Sequence, residues 1–367
     1  MGNASKIACD ILYRPNDEKY CENIRNFQGC PTLAVTPKGR IYVGWYSGGT
    51  REPHMENYNI LVYSDDQGKT WSKPLLVIES SKNNFIHALD IQLWTDPKGH
   101  LHVFWVQNNT KLQPEVMPKA EKNQPLVCVD GYMFDDFVHS EWEMICENPD
   151  AENPVFSEPK YMDKGFLRCK PLVLNNNRIL AFNYDQTESR YGYSISDDGG
   201  ETYNHRYGAE KVSTMFDETM AYQLEDGSIR MLSRSDIGEL VESYSYDNGD
   251  TWTDAKASGI DSPNTRFYIY KIAPNQVLMV NNDHRTSRTN MSVYLSLDDG
   301  KTWTYKMLID DRNDISYPDV DFYDDNIYIA YDRERCGAKE ILFVKTSIED
   351  LKTNKKPTIQ IVSKPRG

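Results

Sequence analysis

The chain has 367 residues and carries a formal net charge of −14. A protein this acidic is a poor partner for nucleic acid or for an anionic membrane surface. The sequence contains no run of eighteen apolar residues, so no membrane-spanning segment is expected. The seven cysteines are odd in number and scattered, and their spacing predicts neither a disulfide framework nor a zinc site.

The first ten residues lack the charged-then-apolar layout of a secretory signal. Reduced and mostly buried thiols fit a cytoplasmic protein, which is the localisation that the sequence as written favours. A signal removed ahead of residue 1 would make the protein a secreted one instead. We expect no cofactor and no bound metal.

A short motif recurs along the chain and organises the rest of the sequence. It reads SDDQGKTW at residues 64–71 and returns at 196–203, 245–252 and 296–303, with a worn copy at 148–156. The aspartate side chain accepts bonds from backbone N–H groups ahead of it, and the glycine supplies a positive φ. The motif therefore predicts a hairpin turn whose aromatic residue folds back as a small local core. Because the glutamate at the twelfth position of a calcium loop is missing, we reject metal binding here.

A second repeat is independent of the first one. Six times a polar turn opens a short apolar run, at residues 36–42, 96–102, 175–180, 225–230, 274–278 and 323–328. A long period built from strand and turn signals indicates a β-propeller rather than a sandwich. The sequence therefore predicts an all-β fold, a six-bladed β-propeller, and we expect residues 1–367 to form a single domain.

The predicted blades follow a strand at residues 6–13, which we expect to close the ring beside the last blade. We place the blades at about residues 31–71, 88–156, 168–203, 218–252, 266–303 and 317–344. Blade two carries a polar insertion at residues 107–124, which is neither strand nor helix by its periodicity. After blade six, residues 347–351 predict one helical turn, and residues 358–362 predict a final strand.

The entrance ends of the innermost strands predict where a pocket lies, because the first strand of each propeller blade lines the central channel. The residues at these ends are Gly29, Cys30, Leu89, Asp90, Arg168, Lys170, Asp217, Glu218, Arg266 and Tyr317. Buried charges must be paired or must meet a ligand. This mixture of cations, carboxylates and a tyrosine suggests an anionic small substrate, and salt bridges that plug the channel are the alternative.

Three segments between the repeated motifs resemble those of the sialidase (neuraminidase) family, and with the motif and the blade count the resemblance covers nearly the whole chain. Residues 316–320 (SYPDV) resemble the segment that carries the family's Tyr nucleophile. Residues 217–219 (DET), followed by 224–227 (LEDG) and Arg234, resemble the segment with its paired Glu and its second carboxylate-binding Arg. Residues 288–293 (RTNMSV) resemble the segment with the third Arg.

The resemblance implies a metal-free retaining exo-glycosidase that releases a terminal acidic sugar, most simply a sialic acid, from a glycan. The anomeric carbon of a sialoside already bears a carboxylate, so a neutral Tyr activated by Glu is a better nucleophile than another anion. On this basis Tyr317 is the predicted nucleophile and Glu218 its base. Arg234 and Arg288 are predicted to clamp the substrate carboxylate through forked hydrogen bonds.

The opening of the first blade departs from the family's pattern. The family has Arg-Ile-Pro there, and its Arg is one of three that bind the carboxylate, whereas this chain has Gly-Cys-Pro at residues 29–31. Arg266, Arg168 and Lys170 offer cations that replace the missing Arg. Asp90 is a further candidate for a substrate contact.

The acid/base position also departs from the pattern. The family uses an Asp shortly before the first motif, and no Asp stands between Tyr46 and Ser64 in this chain. Counting back from the strand before the motif gives Glu56 as the best match, with Glu52 and His54 as neighbours. A Glu with a raised pKa performs general acid catalysis, although it reaches one methylene further than Asp. We therefore predict that Glu56 protonates the leaving oxygen.

Two rival functions stay open at this point. One is the same fold acting on another acidic sugar, such as a 2-keto-3-deoxy or uronic acid, by hydrolysis or elimination; the lost Arg-Ile-Pro keeps it open. The other is a non-catalytic glycan-binding propeller, for which the missing Arg and Asp are the argument. The retained pair of Tyr317 and Glu218 argues against it, because a lectin has no use for an activated nucleophile.

Overall fold

The computed structural model describes residues 7–112 and 132–365. Their strands form six blades of antiparallel sheet around a central channel, which confirms the predicted all-β, six-bladed β-propeller. Two short 3-10 helices, Glu18–Tyr20 and Glu22–Ile24, precede the first channel strand. No helix in the described ranges is both long enough and apolar enough to cross a membrane.

The first three blades follow the chain order. Blade one contains β1 (Asp10–Tyr13), β2 (Phe27–Val35), β3 (Ile41–Gly48), β4 (Tyr58–Ser64) and β5 (Leu76–Glu79). Blade two contains β6 (Ile86–Thr95), β7 (Leu101–Leu112), β8 (Tyr132–Cys146) and β9 (Lys160–Lys164). Blade three contains β10 (Phe166–Leu167), β11 (Leu172–Val173), β12 (Ile179–Ala181), β13 (Asn183–Tyr184), β14 (Arg190–Ser196) and β15 (Asn204–Glu210).

The last three blades are four-stranded sheets. Blade four contains β16 (Thr219–Gln223), β17 (Ile229–Ser233), β18 (Glu239–Ser245) and β19 (Lys256–Asp261). Blade five contains β20 (Tyr268–Ala273), β21 (Gln276–Asn282), β22 (Met291–Ser296) and β23 (Tyr305–Asp310). Blade six contains β24 (Ile315–Tyr323), β25 (Asn326–Arg333), β26 (Glu340–Ser347), the helix α1 (Ile348–Lys352) and β27 (Ile359–Ser363).

The two sequence repeats occupy fixed places in the blades: the polar turn occurs in all six, and the repeated motif in blades one to five. All six polar turns join the innermost strand to the second strand, as predicted. At the first turn the N–H of Thr36 donates to the carbonyl of Arg40 at 2.9 Å, and Gly39 supplies a φ of 87°. The repeated motif joins the third strand to the outer fourth strand, which in every blade lies beyond the boundary that the sequence predicted.

The motif forms the predicted hairpin turn, but its aromatic residue packs differently from copy to copy. Asp66 accepts from the N–H of Thr70 at 2.9 Å and from its hydroxyl at 2.6 Å. In blade one Trp71 lies edge-on against Phe343 of the neighbouring blade six, with 5.3 Å between the ring centroids, so the predicted local core is wrong for this copy. In blade five Trp303 lies edge-on against Tyr294 of its own hairpin, with 5.8 Å between the ring centroids, as predicted.

The ends of the chain differ in part from the prediction. β1 pairs with β5, with Ile11 opposite Ile78, so it extends the outer edge of blade one and does not close the ring beside blade six. The ring is closed at the channel, where Asp319 of β24 accepts from the hydroxyl of Thr32 at 2.6 Å and from the N–H of Leu33 at 2.9 Å. The predicted helical turn and final strand are confirmed as α1 and β27.

The predicted insertion in blade two begins, in the structure, with residues that belong to a strand. Residues 107–112 continue β7, where Gln107 pairs with Ser140 and Asn108 with His139 of β8. This part of the prediction is wrong, because these polar residues pair with β8 in the ladder of a long strand pair. Residues 113–124 lie outside the described residues.

Candidate active site

Three innermost strands bend at the same level of the channel. The pairing of β2, β6 and β24 with the second strand of each blade slips at equivalent places. At each slip one residue has a positive φ: 55° at Cys30, 56° at Asp90 and 56° at Tyr317. Bulges re-aim side chains next to active sites, and a Tyr with positive φ is strained backbone that the surrounding fold must hold. The bends therefore direct these three side chains to one mouth of the channel.

Tyr317 shares an arginine with Glu218 at this mouth. Nη1 of Arg234 donates to the phenolic oxygen of Tyr317 at 2.9 Å and to Oε2 of Glu218 at 2.8 Å. Its Nε donates to the side-chain oxygen of Asn264, and the guanidinium lies 5.1 Å from the ring centroid of Phe216. The structure thus brings together Tyr317, Glu218 and Arg234, with Arg234 between the other two.

The charges at this mouth set opposite protonation states on the two partners. Burial opposes ionisation of Glu218, but the guanidinium groups of Arg234, Arg168 and Arg266 lower its pKa below the usual value. Burial, together with the negative Glu218, raises the pKa of Tyr317 to about 12, against the lowering effect of Arg234. At neutral pH the arrangement holds an ionised carboxylate beside a protonated phenol, which is the state that a base and its nucleophile require before reaction.

Four further guanidinium groups surround the ring of Tyr317. Their central carbons lie between 4.3 and 5.6 Å from the ring centroid and belong to Arg335, Arg266, Arg168 and Arg288. Cations near an aromatic ring are attracted by its electron-rich face. Five arginines therefore meet around one tyrosine, although the protein as a whole carries a net charge of −14.

Arg288 is the half-buried cation of this group that lacks an acidic partner. Its Nη2 donates to the carbonyl of Asn264 at 2.9 Å and its Nη1 to the hydroxyl of Ser316 at 3.4 Å. Among the side chains that the structure describes, it forms no ion pair with a carboxylate, and burial and the neighbouring Arg335 lower its pKa. The nearby Arg285 turns to the surface, where it pairs with Glu239 and Asp261.

Arg168 and Asp90 form a pair beside Glu218. Nε of Arg168 lies 3.3 Å from Asp90 and 3.8 Å from Glu218. Burial raises the pKa of Asp90 to about 6, with Arg168 acting in the opposite direction. Both terminal nitrogens of Arg168 and one oxygen of Asp90 are buried without a hydrogen-bond partner. Buried polar groups are costly when they are unpaired, so this pair offers donors and an acceptor to a ligand.

Arg266 is held differently from its prediction as a substrate contact. Its Nη2 donates to the carbonyls of Pro31 at 2.6 Å and Tyr317 at 3.2 Å, and its Nη1 donates to the carbonyl of Arg168 at 2.9 Å. These bonds tie the innermost strands of four blades together under the ring of Tyr317. The position makes Arg266 a structural crosslink of the bulged strands, because its terminal donors already have backbone partners.

Lys170 lies at the other end of the channel, which contradicts its place among the substrate contacts of Tyr317. Its ammonium group lies 3.3 Å from the carboxylate of Asp321 and 5.8 Å from the ring centroid of Tyr268. It lines a pocket of about 800 Å³ that also includes the turn residues Asp324 and Asp325. Arg168 and Lys170 both lie in the segment between β10 and β11, but their side chains point to opposite mouths of the channel.

Glu56 does not take part in the cluster, contrary to its predicted role. Its side chain is 54% exposed and pairs with Lys82. The neighbour Glu52 reaches inward instead, and its carboxylate accepts from Nη1 of Arg335 at 3.1 Å. The count along the sequence missed by four residues because this segment is a loop that follows no strand period.

Glu52 also meets the two residues at the bends of β2 and β6. The carboxylates of Glu52 and Asp90 and the thiol of Cys30 all lie within 4.8 Å of one another. Three such atoms resemble a metal-ligand set, but Arg168 and Arg335 contact the two carboxylates. Positive charge at this cluster is thus supplied by the protein itself.

Arg335 is the residue of the cluster that sequence reasoning missed. It follows β25 by two residues, and its Nε donates to Asp332 at 2.9 Å. With Arg288 it lines a pocket of about 490 Å³ that opens beside Tyr317. The sequence signal that points to it is weak: Arg333 ends β25 and Arg335 follows it, in a connection outside the innermost strands.

The fold and the repeated motif define a sialidase-like Asp-box propeller. The BNR repeat-like domain family matches residues 138–329, just over half of the chain, and the BNR/Asp-box repeat matches residues 62–73 around the first motif. The chain therefore belongs to the BNR repeat-like family, as the resemblance predicted. No curated protein matches the sequence significantly.

Several solved structures share the whole fold. The NanB sialidase from Streptococcus pneumoniae has a TM-score of 0.67 at 16% identity, covering 94% of this chain and 71% of that chain. The intramolecular trans-sialidase from Ruminococcus gnavus has a TM-score of 0.66 at 13% identity, with 94% and 98% covered. A protein of unknown function from Dyadobacter fermentans has a TM-score of 0.66 at 17% identity, with 92% and 96% covered. At identities this low, the structural similarity establishes the fold alone.

Proposed function

We propose that this protein is a retaining exo-glycosidase that releases a terminal acidic sugar, most simply a sialic acid, from glycoconjugates. The observation that carries the proposal is the bridge of Arg234 between a buried, protonated Tyr317 and a buried, ionised Glu218. A packed channel has no need of a nucleophile and a base held in these states. Sialidases among the structures that share the fold support the same class of substrate.

The first half of the reaction forms a bond between enzyme and sugar. The phenolic oxygen of Tyr317 attacks the anomeric carbon while Glu218 accepts the phenolic proton, so no free phenolate is needed. The bond from the anomeric carbon to the glycan oxygen breaks, and Glu52 donates a proton to that oxygen. Glu52 takes the role that the sequence gave to Glu56, because its carboxylate lies within the cluster and that of Glu56 does not.

The second half restores the enzyme. Glu52, now ionised, removes a proton from a water molecule that attacks the anomeric carbon. The bond to Tyr317 breaks, and Glu218 returns the proton to the phenolic oxygen. Two displacements at one carbon give net retention, and the released sugar carries one oxygen from water.

The substrate carboxylate is bound by the arginines on the open side of Tyr317. Arg288 has no acidic partner in the described part of the chain, and Arg234 already donates to the phenolic oxygen that attacks the adjacent carbon. An anion placed between them gains charge-assisted hydrogen bonds. It also neutralises the positive charge that the cluster otherwise leaves uncompensated.

A second candidate is hydrolysis or elimination on a different acidic sugar, such as a 2-keto-3-deoxy or uronic acid. The observation that favours it is Gly29, which removes the carboxylate-binding Arg from the first blade. The arginine cluster serves either sugar, because both present a carboxylate next to a ring oxygen.

The test compares hydrolysis of a fluorogenic sialoside by the wild type and by Tyr317→Phe. We expect turnover by the wild type and a loss of at least about 10³-fold in kcat for the variant, because the covalent route is closed. Equal turnover by both proteins contradicts a Tyr317 nucleophile. If the wild type has no activity on sialosides, a panel of uronic and deoxy-ulosonic glycosides separates the second candidate from a glycan-binding protein, which turns over none of them.

A further inference from the structure

The side chain of Arg335 fills the space in front of Gly29. A Cβ atom placed on Gly29 would lie 2.6 Å from Cδ, 2.7 Å from Cγ and 2.8 Å from Nε of Arg335. Real Cβ atoms do not approach other heavy atoms this closely. Even alanine at position 29 therefore forces the guanidinium of Arg335 out of its place.

The backbone does not explain the glycine at this position. Gly29 lies in β2 opposite Tyr46, and its φ lies outside the left-handed region that favours glycine. A residue with a side chain fits this conformation without strain. What excludes a side chain is Arg335 itself, so the two positions are coupled in space although they belong to the first and last blades.

Arg335 is fixed firmly in that space. Its Nε donates to Asp332 at 2.9 Å, its Nη1 donates to Glu52 at 3.1 Å, and its carbonyl accepts from the N–H of Gln28 at 3.0 Å. Its guanidinium lies 4.3 Å from the ring centroid of Tyr317, nearer than that of Arg288, Arg266 or Arg168. Its Nη2 is buried and has no hydrogen-bond partner. A buried donor without a partner, on a side chain that lines the pocket, points to a ligand atom as its acceptor.

We propose that Arg335 binds the substrate carboxylate as the third arginine of the clamp, with Arg234 and Arg288, in the place that a side chain at position 29 would otherwise occupy. The inference rests on the proposed function and identifies which of the chain's cations replaces the one lost from the first blade. Arg335 reaches the carboxylate from the sixth blade, and the same guanidinium holds Glu52 through its other end nitrogen. Carboxylate binding and placement of the proton donor therefore depend on one side chain.

The contact between residues 29 and 335 predicts that the effects of substitutions at the two positions are not additive. Gly29→Arg alone introduces a cation but displaces Arg335, so it weakens binding. Arg335→Gly alone removes the cation. The double variant Gly29→Arg/Arg335→Gly places an arginine at position 29 and clears the space in front of it, so it regains affinity that both single variants lose.

The experiment measures dissociation constants by calorimetry for the wild type, Arg335→Ala, Arg335→Lys, both single swaps and the double swap. The probes are 2,3-didehydro-2-deoxy-N-acetylneuraminic acid and its C1 amide, or the acid and amide of whichever acidic sugar the wild type binds. Arg285→Ala, an exposed arginine on blade five, is the matched control. Melting temperatures show which variants are folded.

We expect Arg335→Ala to weaken binding of the acid about 10- to 100-fold, the range for a hydrogen bond to a charged group, and to weaken binding of the amide far less. Arg335→Lys retains the charge but loses the fork, so it falls between wild type and Arg335→Ala. Recovery in the double swap, with binding tighter than in either single swap, distinguishes a ligand contact from a structural role for Arg335.

The two proposals fail in different ways. If the wild type prefers the acid to the amide and Arg335→Ala keeps that preference, the role of Arg335 is overturned while the acidic-sugar function stands. If the wild type does not distinguish acid from amide for any sugar in the panel, the proposed function is overturned, and the clamp with it. A folded Arg335→Ala that weakens acid and amide equally assigns the residue to structure and contradicts the clamp.

Discussion

The pKa values of aspartates in the repeated hairpins and at the channel mouth are shifted in opposite directions. In the first hairpin, hydrogen bonds from Thr70, strengthened by Ser64, lower the pKa of Asp66 to about 2. At the mouth, burial raises the pKa of Asp90 to about 6 even though Arg168 lies beside it. Asp66 is solvated, and both of its carboxylate oxygens accept hydrogen bonds from Thr70. Asp90 is buried, and one of its carboxylate oxygens has no hydrogen-bond partner.

The contrast separates residues that hold the fold from residues that meet a ligand. Backbone N–H groups of the hairpin turn donate to side chains of the same turn, so the same eight-residue pattern forms this turn in several blades through local hydrogen bonds. The mouth leaves donors of Arg168 and Arg335 unsatisfied, and native proteins keep such groups for a functional reason. Substitutions at the mouth are therefore expected to change activity, and substitutions in the hairpins to change stability.

The largest effect is expected for Glu218→Gln. The amide keeps the shape of the side chain but cannot accept the phenolic proton, so we expect kcat to fall by about 10²- to 10⁴-fold. The melting temperature should change little by comparison. The matched control is Glu225→Gln, which alters an exposed turn glutamate of the same blade that pairs with Lys271. Steady-state kinetics on a fluorogenic sialoside measures kcat for Glu218→Gln and for Glu225→Gln. A wild-type kcat in Glu218→Gln would contradict a catalytic role for Glu218.

Glu52 and Glu56 lie in one loop and allow a glutamate of the cluster to be compared with an exposed one. Glu52→Gln removes the proposed proton donor, and we expect a loss of about 10²- to 10³-fold in kcat on a glycan whose leaving oxygen needs protonation. The loss should be smaller on a fluorogenic phenol, which leaves without a proton. Glu56→Gln should be close to wild type on both substrates, because its carboxylate is exposed and pairs with Lys82. The reverse result would restore Glu56 as the acid.

Asp90 predicts a stability effect with a defined pH dependence. Its pKa is about 6 in the folded protein, chiefly because of burial, and about 3.9 in an unfolded chain. The folded state holds the proton more tightly, so this contribution to stability is full below about pH 4 and is lost as the pH rises through about 6. Asp90→Asn mimics the protonated form.

The free energy of unfolding of the wild type, relative to that of Asp90→Asn, should therefore fall by about 3 kcal/mol between about pH 4 and pH 7.5. Urea unfolding of both proteins at several pH values provides the measurement. A difference that does not vary with pH would show that Asp90 is ionised throughout, as the hairpin aspartates are.

The smallest effect is expected in the hairpins. Asp66→Ala removes the bonds to Thr70 and leaves the channel mouth untouched, so we expect a melting temperature lower by about 1 to 3 °C. KM and kcat should stay at wild-type values. Loss of activity in a variant that is folded at the assay temperature would show that the hairpins and the mouth are coupled.

Sequence patterns predicted the parts of the molecule that repeat. Each polar turn and each Asp-box hairpin specifies its conformation through hydrogen bonds within a few residues. Every copy therefore needs similar residues at the same spacing, and the copies can be recognised by comparing them within the sequence. The same frame located Tyr317, Glu218, Asp90 and Arg168, because each of them lies six or seven residues before the polar turn of its blade.

The rest of the site depends on contacts that local patterns do not encode. Glu52 lies in a loop without strand periodicity, and counting from the next strand selected Glu56 instead. Arg335 comes from a connection between outer strands, where no channel residue was expected. Arg168 and Lys170 both match the pattern of a channel cation, and only the three-dimensional fold shows that their side chains lie at opposite ends of the channel. The outward pairing of β1 likewise depends on the free edge of β5.

The closure between the first and last blades also determines when the site can exist during biosynthesis. The bond from the N–H of Cys30 to Asp332 joins residues 302 positions apart, and the pair of Arg335 with Glu52 joins residues 283 positions apart. Blades made early can pack locally while the ribosome continues. Tyr317 and Arg335, however, belong to the sixth blade and are made after the other five. A nascent chain halted before residue 335 thus lacks the cluster of side chains around Tyr317, which forms only when the ring is complete.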